Sequence, residues 1–213
     1  NSVPNAWALP GGKIAVNRGL LTELTSEAEL AAVLGHEIVH AAARHGAKAQ
    51  ERGTLMQAGM AAAQIGAAVG GMDAGLANLA LSGTAIGLQM VQMKYGREQE
   101  LESDHYGMKF MKLAGYDPWG AVTLQETFVR LAGDNAKKQS WLDGLFASHP
   151  PSQERVERNR ATAGELGRGG EIGADSYATR VGPLLAMKPG YDKYDEAIAA
   201  ARNKELDKAR TLA

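Results

Sequence analysis

The sequence predicts an α+β fold that is mainly helical, with one small antiparallel sheet at its start. Short apolar runs flank Pro10-Gly11-Gly12, and behind them long segments repeat apolar residues at helical spacing. A pair of histidines four positions apart, answered much later by a pair of carboxylates at the same spacing, indicates which helices must meet.

Each element has a local cause. Ala6-Trp7-Ala8-Leu9 and Lys13-Ile14-Ala15-Val16 read as the arms of a hairpin, with glycine supplying the positive-φ positions of a tight reversal. Ser26 and Glu29 have capping-box spacing, and Leu30, Val33, Leu34 and Ile38 follow at helical intervals, so a helix is expected to about Ala49. A second long helix is expected from about Thr84 to Ala114, with Gly115 placed to end it. Asp117-Pro118 offers an N-cap and an N1 proline to a helix that stops near Gly133. The loop Ser148-His149-Pro150-Pro151 leads into a helix from Ser152 to about Thr162. Residues 1–163 read as one domain, 164–190 as a linker containing Gly167-Arg168-Gly169-Gly170, and 191–213 as a charged amphipathic helical segment. That last segment could begin a helical-repeat module.

Composition removes several classes of function. With 213 residues, 23 basic against 24 acidic side chains and a net charge of −1, the chain fits one domain with a small appendage. It lacks the basic surface that would hold nucleic acid. There is no cysteine, so any metal must be held by His, Asp or Glu. The chain opens on Asn1 with no leader sequence, which leaves its compartment open. Thr54–Met93 carries a single charge, Asp73, and is rich in Gly, Ala, Met and Gln. Its uncharged stretches have transmembrane length, but such small residues gain little from insertion, so packed small-residue helices are favoured over membrane contact.

The chemistry concentrates in His36-Glu37-Ile38-Val39-His40. Residues four apart on a helix lie one turn above each other, so two imidazoles converge on one ion and Glu37 projects beside it. Zinc in a catalytic site takes three protein ligands. A third histidine ten residues after the first is excluded, because Gly46 stands there and His45 is one position early on another face. A glutamate from a later helix is the alternative: Glu100 and Asp104 share a face, Glu100 as ligand and Asp104 as partner for the free nitrogen of a ligand histidine. Glu98 and Glu102 read as solvated. His149, held before two prolines, sits on a stiff loop. His45 and His105 read as structural, His45 with a hydrogen bond near the site, and neither is expected on zinc.

Together, Asn5-Ala6-Trp7-Ala8-Leu9-Pro10-Gly11-Gly12, the HEIVH motif, Arg97-x-x-Glu100-x-x-x-Asp104 and His149-Pro150…Arg155 resemble the zinc metallopeptidases typified by HtpX and the CAAX prenyl protease, a gluzincin family. The resemblance covers about residues 3–163 and is greatest to the bacterial periplasmic branch, whose members are often lipoproteins. It implies a zincin-like core in which the HExxH helix packs on the glutamate-ligand helix beside a small sheet. It also implies one Zn2+ per chain on His36, His40 and Glu100, with Glu37 as catalytic base. His149 would stabilise the oxyanion or fill the open coordination position. Asp104 and Arg155 would support the ligands, the late loop or substrate. Asn5 and Ala6 are candidate substrate contacts on an edge strand, where a peptide could add by backbone pairing. Gly96 and Ser103 depart from the family's usual serine and alanine, and both are small.

The implied activity is hydrolysis of peptide bonds through metal-activated water, in quality control of misfolded envelope or outer-membrane proteins. Unfolded polypeptides, and by resemblance the outer-membrane assembly machinery, are the expected partners, and the periplasm the expected compartment. The rival readings are a chaperone-like binding module with latent peptidase activity and a membrane-inserted peptidase of the same family.

Overall fold

The computed structural model describes residues 2–9, 11–55, 95–133 and 148–212. Most of the expectation for Thr54–Met93, and the first part of the helix expected from Thr84, lie outside them. Strands β1 (Ala6–Ala8) and β2 (Ile14–Val16) pair antiparallel, Trp7 opposite Ala15. Gly11 and Gly12 hold the reversal with φ of +88° and +82°. A short helix, α1 (Arg18–Leu21), leads to α2 (Glu27–Ala42), which carries the histidine motif. Ser26 caps α2 by accepting from the Glu29 amide at 3.2 Å, while the Glu29 carboxylate reaches back to the Thr25 amide at 2.7 Å.

The helix expected to run to Ala49 instead breaks at Ala43. Arg44 takes a left-handed φ of 56°, and residues 45–55 then form a separate helical stretch. The second long helix also starts later than expected. Tyr95 lies outside the helix, Gly96 is extended, and α3 spans Arg97–Leu113, its first turn closed by the Gln99 side chain accepting from the Gly96 amide. Gly115, at φ +88°, ends α3 as foreseen: its amide bonds to Lys112 and that of Tyr116 to Met111, the paired bonds of a Schellman motif. Asp117 caps α4 (Trp119–Gly133), accepting from the Trp119 amide at 3.0 Å. Ser152 caps α5 (Gln153–Leu166), which runs a turn past the expected Thr162.

Residues read as a linker are ordered and packed. Glu171 bonds the backbone of Gly115 and Asp117, Ile172 accepts from the Ala28 amide, and Asp117 accepts from the Gly169 amide. Helix α6 (Ala174–Ala186) follows, and its Tyr177, buried in the core, donates to the Leu21 carbonyl at 2.6 Å. Helices α7 (Lys188–Arg202) and α8 (Leu206–Leu212) close the chain, with Arg18 over the Tyr191 ring and paired to Asp195. Among the described residues, no helix is long and apolar enough to cross a membrane.

The core lies where α2, α3 and α4 meet and includes Leu20, Val33, Met108, Met111, Val122 and Phe128. Helices α2 and α3 cross with their backbones in contact at two glycines. A Cβ on Gly107 would stand 2.9 Å from the Gly35 carbonyl carbon and from the His36 amide nitrogen. That closeness brings the two sets of site residues together. Gly107→Ala is therefore expected to force the helices apart, costing about 1–3 kcal/mol as in other overpacked cores. Thermal unfolding would show it as a lowered Tm, and an unchanged Tm would contradict the contact.

Candidate metal centre and active site

Helix α2 presents His36, Glu37 and His40 from one buried side, α3 supplies Glu100 and Asp104, the loop after residue 147 supplies His149, and the first turn of α5 supplies Arg155. All are nearly inaccessible to solvent. His36 Nε2 lies 2.9 Å from His40 Nε2, 3.2 Å from His149 Nδ1 and 3.6 Å from Glu100 Oε2. Glu100 Oε1 lies 3.3 Å from His40 Nε2 and 3.1 Å from His149 Nδ1. A tetrahedral site with zinc–ligand bonds of about 2.0–2.1 Å has edges of roughly 3.3 Å. The spacings scatter about that edge, so His36, His40, Glu100 and His149 fit one cation as a four-donor set.

The electrostatics point the same way. Burial opposes a charge on His36, but the Glu100 carboxylate and the Asp104 hydrogen bond outweigh it and lift the imidazole above its ordinary value. The surroundings thus favour positive charge on that ring. Burial pushes His40 down to about 3, leaving it neutral with a lone pair to give. Burial alone would raise Glu100, yet the neighbouring His36, His149 and His40 rings hold its carboxyl well below the usual range.

Arg155 is the buried cation that lets two carboxylates sit here. It donates to both Asp104 oxygens at 2.7 Å, meets Glu100 Oε2 at 2.8 Å and donates to the Pro150 carbonyl at 3.2 Å. It thus supports the late loop as well as the carboxylates. Burial works against the Asp104 charge, but Arg155 and His36 bring its carboxyl down to about 2. Asp104 in turn accepts from His36 Nδ1 at 2.9 Å, leaving the Nε2 lone pair toward the other donors.

Glu37 stands beside the cluster. Its Oε1 is 3.4 Å from His149 Nε2, and its Oε2 is buried with no hydrogen-bond partner among the described residues. Such an acceptor needs a partner that is neither its own helix nor its neighbours. The cavity next to it is lined by Ala6, His36, Glu37, His149, Gln125 and Asn159 among others. Asn5 and Ala6 are both buried, so contact with a peptide would run through the backbone of β1, which pairs on one side with β2. Glu98 is exposed and bonds Arg97 at 2.5 Å, as a solvated charge should; Arg97 also pairs with Glu154. His105 bonds Thr162 at 3.3 Å, away from the cluster.

Two neighbours of the cluster escaped the sequence reading. Tyr95 stacks on the His40 ring with centroids 3.9 Å apart. Glu102, read as solvated, bonds His45, which lies behind His40 and makes the hydrogen bond near the site expected of it. The break at Arg44 brings His45 under His40, and nothing at positions 43–44 signals it. The Glu102 contact follows from it.

The pattern of peptidase family M48 matches residues 1–163. The chain is similar to a putative beta-barrel assembly-enhancing protease of Vibrio cholerae, 33% identical over 162 residues, 75% of this chain and 32% of that protein. It is also similar to the metalloprotease YcaL of Escherichia coli, 32% identical over 76% of this chain and 59% of that protein. The mitochondrial metalloendopeptidase OMA1 of Schizosaccharomyces pombe is 35% identical over 73% of this chain and 42% of its own length. The aligned region spans between about a third and three fifths of these relatives.

Proposed function

The chain belongs to peptidase family M48, and from that premise we propose that it is a zinc-dependent endopeptidase acting on unfolded or misfolded polypeptides of the bacterial envelope. The observation that carries the reading is the convergence of His36, His40, Glu100 and His149, with a Glu37 oxygen beside them that has no hydrogen-bond partner among the described residues.

His36, His40 and Glu100 would hold the metal, and a bound zinc supplies Lewis acidity that acidifies a water and polarises the scissile carbonyl. Glu37 accepts the proton of the attacking water at Oε2 and returns it to the leaving nitrogen. Asp104 and Arg155 keep His36 and Glu100 in place. His149 fills the fourth donor position in this arrangement, which suits a resting state. Swung aside, it would be close enough to donate to the oxyanion of the tetrahedral intermediate. The backbone of Asn5 and Ala6, at the start of β1, would hold the extended substrate.

The envelope assignment leans on the relatives named for beta-barrel assembly. Periplasmic localisation, contact with assembly machinery and a helical-repeat continuation after residue 191 belong to the same proposal. It is tested by following hydrolysis of an unfolded protein such as reduced casein. Chelation should abolish cleavage and added zinc should restore it. Turnover indifferent to chelators would overturn it.

A further inference from the structure

His45 and Glu102 have no part in the chemistry above, yet their geometry is specific. His45 is 1% exposed, and its Nδ1 lies 3.0 Å from His40 Nδ1. Its Nε2 faces Glu102 Oε2 at 3.2 Å. An ionised carboxylate only accepts, so the His45 ring donates from Nε2 and carries its lone pair on Nδ1. A hydrogen bond at that lone pair places the His40 proton on Nδ1. The His40 lone pair then falls on Nε2, the atom that faces His36 and Glu100.

The backbone explains how His45 gets there. On an unbroken helix, five residues turn through about 500°, which would leave His45 roughly 140° around the axis from His40. The left-handed Arg44 ends that register and folds the next ring back under His40. Tyr95 stacks on the His40 face, so the ring is held on its plane by one neighbour and at its edge by the other.

We propose that Glu102 and His45 form a relay that fixes the tautomer and orientation of His40 as a metal ligand, as Arg155 and Asp104 do for His36. Both are positioning residues. The inference rests on the zinc-site reading above. A bare packing role for His45 makes a different prediction, because an aromatic ring of similar size would then serve as well.

The test is the zinc affinity of the full chain, measured by competition with a chromophoric chelator, alongside the Tm of the metal-free protein. His45→Phe is expected to weaken binding by about 10–100-fold, the usual cost of losing an outer partner of a ligand histidine. His45→Asn, whose Oδ1 can accept from His40 Nδ1, should recover most of that loss. Glu102→Leu should weaken binding several-fold, and with its side chain 48% exposed the fold is spared. Should His45→Phe not fold, Glu102→Leu decides, and unchanged affinity there overturns the relay. So does a folded His45→Phe within about threefold of wild type, or an Asn variant as weak as the Phe variant. A wild-type chain that takes up no zinc overturns the zinc reading and the relay together. Tight wild-type binding with indifferent variants overturns the relay alone.

Discussion

Glu37→Gln is expected to lower kcat/KM on an unfolded polypeptide by about 10⁴-fold or more, while the protein keeps its metal and its Tm. The carboxamide occupies the same volume and can still hydrogen-bond, but it cannot take a proton from water. Glu37 lies outside the four-donor set, so nothing that would hold a cation is removed. Its Oε2 has no partner to lose among the described residues, so folding should not suffer. Progress curves on casein and elemental analysis of the same preparation give both halves of the result. Near-normal turnover would remove Glu37 from the chemistry. Loss of metal together with turnover would move it into the ligand set.

Arg155→Met is expected to fail in the opposite manner, losing structure and metal together. The guanidinium is 6% exposed and neutralises two carboxylates that are buried as deeply. Removing one partner of a buried ion pair costs about 3–5 kcal/mol, because the other charge stays behind in a poor solvent. Asp104 loses the cation that holds its carboxyl near 2, and with it the firm acceptor for His36. Metal affinity should therefore drop by about 10–100-fold. The sign of the pH effect follows from the depressed Asp104 value. Its stabilisation is fully present above the ordinary 3.8 and is lost as the pH falls through about 2, so the defect should appear undiminished across neutral pH. Arg155→Lys should rescue only part of it, since an ammonium cannot span both Asp104 oxygens and Glu100 in one plane. Denaturation curves and chelator competition at neutral pH check both parts, and a Met variant as stable as wild type would contradict the role assigned to Arg155.

The parts of the fold that were legible in the sequence are those with a local cause. Ser26, Gly115, Asp117 and Ser152 each mark a helix end through their own backbone or side-chain chemistry, and each acts where the sequence puts it. The ligand spacing was legible for the same reason, since one helical turn separates His36 from His40 and Glu100 from Asp104. Long-range causes were not legible. Arg44 is an ordinary residue held at positive φ, and no glycine or asparagine announces the break. The start of α3 at Arg97 depends on Tyr95, whose amide bonds the Ser148 carbonyl and whose ring covers His40. Gly167-Arg168-Gly169-Gly170 suggested a flexible joint. In the fold, Gly170 lies against the Tyr116 backbone with a φ of +127°, so these glycines serve close approach and left-handed turns in a docked segment. Arg155 was visible, through the resemblance, as a basic residue supporting the late loop or substrate, but its bridge to Asp104 and Glu100 required the packing of α5 on α3.

The central claim is that His36, His40 and Glu100 hold a catalytic zinc. Elemental analysis of the purified wild-type chain beside Glu100→Ala tests it most directly. The account predicts about one zinc per wild-type chain and a sharp loss in the variant, as expected when one of three protein ligands is removed. A well-folded wild type that carries no metal and refuses added zinc would contradict it.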